Sequence, residues 1–170
     1  MNAKDSAPGG LGLIEALVNT LDIETGADAL DTVAGRAAFS LTESEVPDAR
    51  VLREALRTAC LAHAGHRPPE GAAAPPLDRL LAEAPLRVTV DAAGAAALRP
   101  AAEPAGLTAR VAAAIATAAA DGTWARLKAC EAEDCRWAYY DRSPAGRRRW
   151  CSMSVCGARA KMRTYRAKRG

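Results

Sequence analysis

Four cysteines near the carboxyl end constrain the fold of this 170-residue chain more than any other feature. They are Cys130, Cys135, Cys151 and Cys156, which form two C-x4-C pairs separated by fifteen residues. Two cysteine pairs flanking a loop of about 15 to 20 residues are typical of a four-thiolate zinc site. A segment this short has too little apolar material to fold unaided, so we expect metal binding and folding to be one event.

Two disulfide bonds are the main alternative for these cysteines. A secretory signal has an apolar stretch after a few basic residues, and the first residues of this sequence have none. We therefore expect the chain to stay in a reducing cytoplasm. Catalytic zinc sites keep one coordination position open, whereas four thiolates fill the tetrahedron. The sequence therefore predicts one structural Zn²⁺ held by the four cysteines.

Charge and aromatic residues divide the chain into two parts. Residues 124–170 carry 13 Lys and Arg against four Asp and Glu, a formal charge of +9, whereas residues 1–123 carry a charge of −6. Six of the seven Trp, Tyr and Phe residues also lie in the later part. Opposite charge and different apolar composition are typical of separate units. We therefore predict an N-terminal unit over residues 9–123 and a C-terminal unit over residues 124–170.

The N-terminal unit is predicted to be mainly helical. Alanine supplies 42 residues of the chain, and β-branched and aromatic side chains are too scarce for a large sheet. Val33 on the second helix and Val51 on the third helix are expected to face inward. Residues 66–76 are predicted to form a low-complexity linker. The spacing of apolar residues predicts helices over 11–21, 30–37, 47–59, 77–81 and 107–118, with two short strands over 86–90 and 95–99. The fold class is thus mainly α with minor β (α+β): an Ala-rich helical domain with a β-hairpin, followed by a small four-cysteine finger.

Few residues in the N-terminal unit suggest a catalytic, metal-binding or ligand-binding site. Asn19, Thr20 and Asp22 form a polar cluster at the end of the first helix, where they either bond to the local backbone or line a pocket for a small-molecule ligand. His63 and His66 are better explained as a solvated helix end than as metal ligands. Because no nucleophile can be paired with a base, an enzyme is the least supported class.

The C-terminal unit is strongly basic. A helix is predicted from about residue 152 to 168, with Arg159, Arg163 and Arg166 on one face, and a run of three arginines precedes it. A basic helix can neutralise phosphates and enter the major groove of DNA. The alternative interpretation is that these residues form a solvated, charged tail. An RNA-binding or protein-interaction finger is a further alternative. No apolar run is long enough to span a membrane. The residues predicted to bind nucleic acid are Arg147, Arg148, Arg149, Arg159, Lys161, Arg163, Arg166, Lys168 and Arg169.

The carboxyl-terminal segment, residues 130–170, resembles the CGNR-type zinc finger. That family combines paired cysteines with a W-x-[FY]-[FY]-D-x-S stretch, an R-R-W-C-S-M run and a C-G-N-R motif. The sequence departs from the pattern at Ala158, where the family usually has Asn. The matching positions are Trp137, Tyr139, Tyr140, Asp141, Ser143, residues 148–153, Cys156, Gly157 and Arg159.

The preceding segment, residues 11–123, resembles the Ala-rich ABATE-type domain. This resemblance depends on the L-V-N-T-L-D stretch at residues 17–22 and on the layout of the helices; it lapses at Ile23 and Glu24, where an aromatic-Arg pair is usual. Together the two resemblances imply a bacterial, stress-induced transcriptional regulator with a sensor-like domain ahead of a DNA-binding finger. Because a lone finger reads few base pairs, a homodimer is consistent with this function.

Overall fold

The computed structural model describes residues 6–66 and 75–169, so most of the predicted linker over 66–76 lies outside the described residues. The predicted fold class, mainly α with minor β, is confirmed. Short 3₁₀ turns lie at Ala29–Asp31, Glu43–Glu45 and Trp124–Arg126. The α-helices are α1 (Leu11–Val18), α2 (Val33–Ala37), α3 (Val46–His63), α4 (Leu77–Ala82), α5 (Leu107–Ala120) and α6 (Ala158–Ala167). The strands are β1 (Leu86–Val90), β2 (Ala96–Pro100), β3 (Leu127–Ala129) and β4 (Ala138–Tyr140), paired antiparallel as β1–β2 and β3–β4.

The core forms where α1, α3 and α5 pack together. Leu11, Ile14 and Leu17 of α1 recur at helical spacing and are buried. The amino end of α1 approaches α5 so closely that a Cβ at Gly10 would lie 2.7 Å from the Cβ of Ala114. Glycine at this position therefore permits the close packing of the two helices.

Two apolar residues expected to face inward are exposed instead. The 3₁₀ turn before α2 interrupts the helical phase, and Thr32 caps a new helix by accepting from the Gly35 N–H, so Val33 points outward and is 75% exposed. On α3 the buried stripe includes Ala49 and Arg53. Val51 lies two residues from each, on the opposite side of the helix, and is 39% exposed.

The β-hairpin forms where the alternation of residues predicted it. Leu86 pairs with Pro100 and Val90 with Ala96, and the Asp91 carboxylate accepts from the backbone in the connecting turn. The hairpin packs against α5. None of the helices in the two described ranges is long and apolar enough to cross a membrane.

The β3–β4 pair attaches the cysteine-rich segment to the helical core. Strand β3 packs along α3, and Leu127 and Ala129 of β3 are fully buried. Ala138 of β4 joins the same apolar cluster. One continuous core therefore runs from α1 to β4, and the cysteine cluster lies directly beyond it.

Candidate metal centre and nucleic-acid surface

The four cysteines meet at one point. The Sγ atoms of Cys130, Cys135, Cys151 and Cys156 all lie within 4.8 Å of one another. The Sγ of Cys151 is 3.6 Å from that of Cys135 and 3.7 Å from that of Cys156. Zn–S bonds of about 2.3 Å in a tetrahedron place neighbouring sulfurs about 3.8 Å apart, so the cluster fits one zinc ion.

Local backbone structure brings the cysteines to this point. Cys130 follows β3, and its N–H donates to the Trp137 carbonyl across the hairpin. The loop then turns back at Arg136, which has a φ of 52°. Cys156 lies in a turn of π-helix over Met153–Gly157, just before α6. The metal site thus ties the end of β3 to the start of α6.

The crowding of the sulfurs argues for a cation between them. A hydrogen bond with Cys130 raises the pKa of the Cys135 thiol, and burial and the negative charge of Cys130 act in the same direction. Several thiolates cannot coexist here unless a metal ion balances their charge. Because all four ligands come from protein, the site holds one structural zinc with no open position for substrate.

A buried carboxylate organises the loop between the cysteine pairs. Asp141 is fully buried and accepts from Lys128 Nζ at 2.9 Å, from the Ser143 hydroxyl at 2.6 Å and from the Arg148 N–H at 2.9 Å. Burial alone would raise the pKa of Asp141, but these hydrogen bonds lower it well below its usual range. Lys128 also donates to the Gly146 carbonyl. The carboxylate therefore fixes the loop that delivers Cys151 to the metal.

The three consecutive arginines have three different surroundings. Arg147 is exposed and forms no ion pair with a described residue. Arg148 is half-buried, donates to the Cys151 carbonyl at 2.7 Å and stacks over the ring of Tyr139. Arg149 pairs with Glu131 at the surface. Only Arg147 presents a free guanidinium here.

Helix α6 projects from the finger and carries the other predicted contacts. No residue of α6 is buried. Arg159 at its start pairs with Glu24 at 3.2 Å and with Asp134 at 3.8 Å. The remaining cations of this segment are exposed and form no ion pair within the described parts of the chain; they are Lys161, Arg163, Arg166, Lys168 and Arg169.

The polar cluster at the end of α1 contacts other parts of the protein. The Asn19 amide donates to the Ala138 carbonyl at 3.0 Å and accepts from the Ala138 N–H at 2.7 Å. Thr20 donates to the Leu17 carbonyl. Asp22 accepts backbone N–H groups of its own turn and lines a cleft of about 810 Å³ between α1 and the finger. Asn19 therefore joins α1 to β4.

Two residues of α3 reinforce this joint. Arg57 is buried and donates to the carbonyls of Val18 and Arg136, each at 2.9 Å. His63 is half-buried, with Nδ1 2.8 Å from the Leu127 carbonyl and its ring edge-on to Trp124. His63 thus contacts the finger rather than only solvent.

Sequence reasoning missed the buried charges. Arg53 and Arg57, four residues apart, lie within the apolar stripe of α3, and Arg53 donates to Asp28 at 2.7 Å. A charged residue at an inward helical position is the signal that could have indicated them. Asp141 and Lys128 carried no comparable signal, because their pairing depends on the β3–β4 register.

Comparison with known proteins agrees with this architecture. Residues 126–169 match the CGNR zinc finger model. Residues 12–122 match the ABATE model, described as "Putative stress-induced transcription regulator". Among curated proteins, none matches the chain at a significant level. Neither model describes an enzyme family. Since the longer match spans well over half of the chain, the protein belongs to the ABATE family and carries a CGNR zinc finger at its carboxyl end.

Proposed function

We propose that this protein is a DNA-binding transcription regulator in which a structural zinc ion orients a cationic helix toward the phosphate backbone. The observation that carries the proposal is α6: it projects into solvent, contains no acidic residue and presents several cations that have no protein partner among the described residues. Cations free of internal partners are available to replace the counterions of DNA.

The predicted contacts divide by their surroundings. The phosphate contacts come from six cations that form no ion pair with a described residue: Arg147, Lys161, Arg163, Arg166, Lys168 and Arg169. Arg149 pairs with the half-buried Glu131 and Arg159 with the exposed Glu24. Ion pairs at the surface contribute at most about 1 kcal/mol, so phosphate can displace either carboxylate. Arg148, which is bonded to the Cys151 carbonyl, acts by positioning the loop.

The N-terminal domain supports this function by fixing the finger. Asn19 at the end of α1 and Arg57 and His63 on α3 form hydrogen bonds with backbone atoms at three places in the finger. The direction of α6 is therefore set by the helical domain as well as by the zinc ion. A change in the helical domain would be transmitted to the DNA-binding surface.

A salt titration with the zinc-loaded protein tests the proposal. Binding to a 30-base-pair duplex is measured by fluorescence anisotropy across a range of NaCl concentrations. Six phosphate contacts give a slope of log K against log[salt] of about −5. Lys168→Ala is expected to reduce the slope by about 0.9, whereas Arg87→Ala, on the distant β-hairpin, leaves it unchanged.

Three outcomes contradict the proposal. A flat salt response excludes phosphate contacts. Tighter binding to single-stranded RNA than to duplex DNA supports the RNA-binding alternative. Binding to neither nucleic acid supports a protein-interaction finger. Zinc chelation by EDTA is expected to abolish binding, because Cys156, which lies just before α6, is then no longer held by the metal.

A further inference from the structure

One side of α6 carries apolar residues. Ala158 and Met162 are four residues apart and therefore share a face of the helix. Met162 is 52% exposed, although it is a large apolar side chain. Val155, in the turn before α6, is 49% exposed and lines one shallow groove of about 490 Å³ together with Ala158 and Met162. We call these three residues the apolar strip.

Cations flank the apolar strip. Arg159, Arg163 and Arg166 line the same groove and, by the 3.6-residue period, lie on one side of the strip. Lys161 and Lys168 lie on the other side of the helix axis from these arginines, by the 3.6-residue period. A helix is about 10–12 Å wide, and the major groove is about 12 Å wide with phosphates along both edges. The strip with its two basic flanks therefore has the charge arrangement that complements a major groove.

We propose that the apolar strip lies against the base edges of the major groove and recognises thymine methyl groups; this inference rests on the proposed DNA binding. Alanine, valine and methionine cannot donate hydrogen bonds from their side chains, so the strip cannot read the donor and acceptor pattern of guanine or cytosine. The thymine C5-methyl is the apolar group that bases present in the major groove. Burying this methyl against Met162 is favourable, because both surfaces leave water.

A pair of duplexes that differ only in this methyl group tests the inference. The probes are 24-base-pair alternating dA·dT and alternating dA·dU duplexes, which present the same hydrogen-bonding edges. The zinc-loaded full chain is expected to bind the dA·dT duplex about fourfold more tightly for each methyl group that the strip covers. Met162→Ala is expected to lose most of this preference. Lys161→Ala is the matched control, because it weakens binding to both duplexes and leaves their ratio unchanged.

The outcomes separate the two proposals. Equal affinity for the two duplexes overturns the thymine inference but leaves DNA binding in place. Failure to bind either duplex overturns DNA binding itself. If both Met162→Ala and Val155→Ala bind the dA·dT duplex over the dA·dU duplex with the wild-type preference, the apolar strip does not recognise the methyl groups. Because both side chains are half exposed, neither substitution removes a core residue, and circular dichroism checks that the helix content is retained.

Discussion

Substitution of Asn19 is the clearest test of how the finger is attached to the helical domain. Ala138 lies on the edge of the β3–β4 pair, and Asn19 occupies both its N–H and its C=O, as a third strand would. Asn19→Ala removes both hydrogen bonds and leaves two backbone groups of a buried residue without partners. Each bond contributes about 1 kcal/mol net, so we expect a loss of about 2 kcal/mol of unfolding free energy.

Urea unfolding of the zinc-saturated protein measures this loss. With an m-value of about 2 kcal/mol per molar urea, the midpoint is expected to fall by about 1 M. All three tryptophans lie in residues 124–150, so fluorescence reports on the finger and its attachment, whereas far-ultraviolet circular dichroism reports mainly on the helices. The two transitions coincide in the wild-type chain if the shared core unfolds cooperatively. In Asn19→Ala the fluorescence transition is expected to come first.

The exposed Thr25 provides a control in the loop that follows α1. Thr25→Ala is expected to shift the midpoint by less than about 0.25 M, as surface substitutions usually do. If Asn19→Ala shifted the midpoint no more than Thr25→Ala, the two hydrogen bonds would contribute nothing and the joint between α1 and β4 would not depend on them.

Three further substitutions probe the buried charges and the surface ion pair. Asp141→Asn removes the negative charge that pairs with Lys128 in a buried site. We expect the free energy of unfolding in urea to fall by about 3 kcal/mol and zinc to transfer faster to a chelator. An unchanged urea midpoint would contradict this. Arg57→Met leaves two carbonyls unpaired and is expected to cost about 3 kcal/mol, with the same measurement. Glu24→Gln removes the nearer of the two carboxylates that pair with Arg159 and is expected to raise DNA affinity about twofold at low salt, with no change at high salt.

Helical periodicity predicted most elements of the helical domain because the domain is held together by simple apolar stripes. The stripe on α1 is a local pattern that the structure follows, whereas the alternation over β1 predicted the strand correctly but Val88 and Val90 are exposed. The orientation of Val33 could not be predicted, because it depends on where a 3₁₀ turn ends and a new cap begins. A change in the residue at which a short helix begins changes which of its residues face the core.

The zinc ligands were predictable because cysteine spacing is itself a geometric constraint. The role of Asn19 was not, since its partner Ala138 lies 119 residues away in the sequence. A polar residue at a helix end has many explanations, and only the packing of α1 on β4 selects one of them. The same holds for Asp141, whose burial follows from the pairing of two three-residue strands.

The boundary between the two family segments does not coincide with a boundary in the packing. The family models meet near residue 124, yet Leu127 and Ala129 complete the apolar core built by α1, α3 and α5. Strands of three residues are too short to be stable alone, so the β3–β4 pair needs α3 as its support and the zinc ion as its clamp. Each half therefore stabilises the other, and the direction in which α6 projects is a property of the whole chain. Under the proposed function, a helix fixed in this way transmits events in the helical domain to DNA without a flexible linker between them.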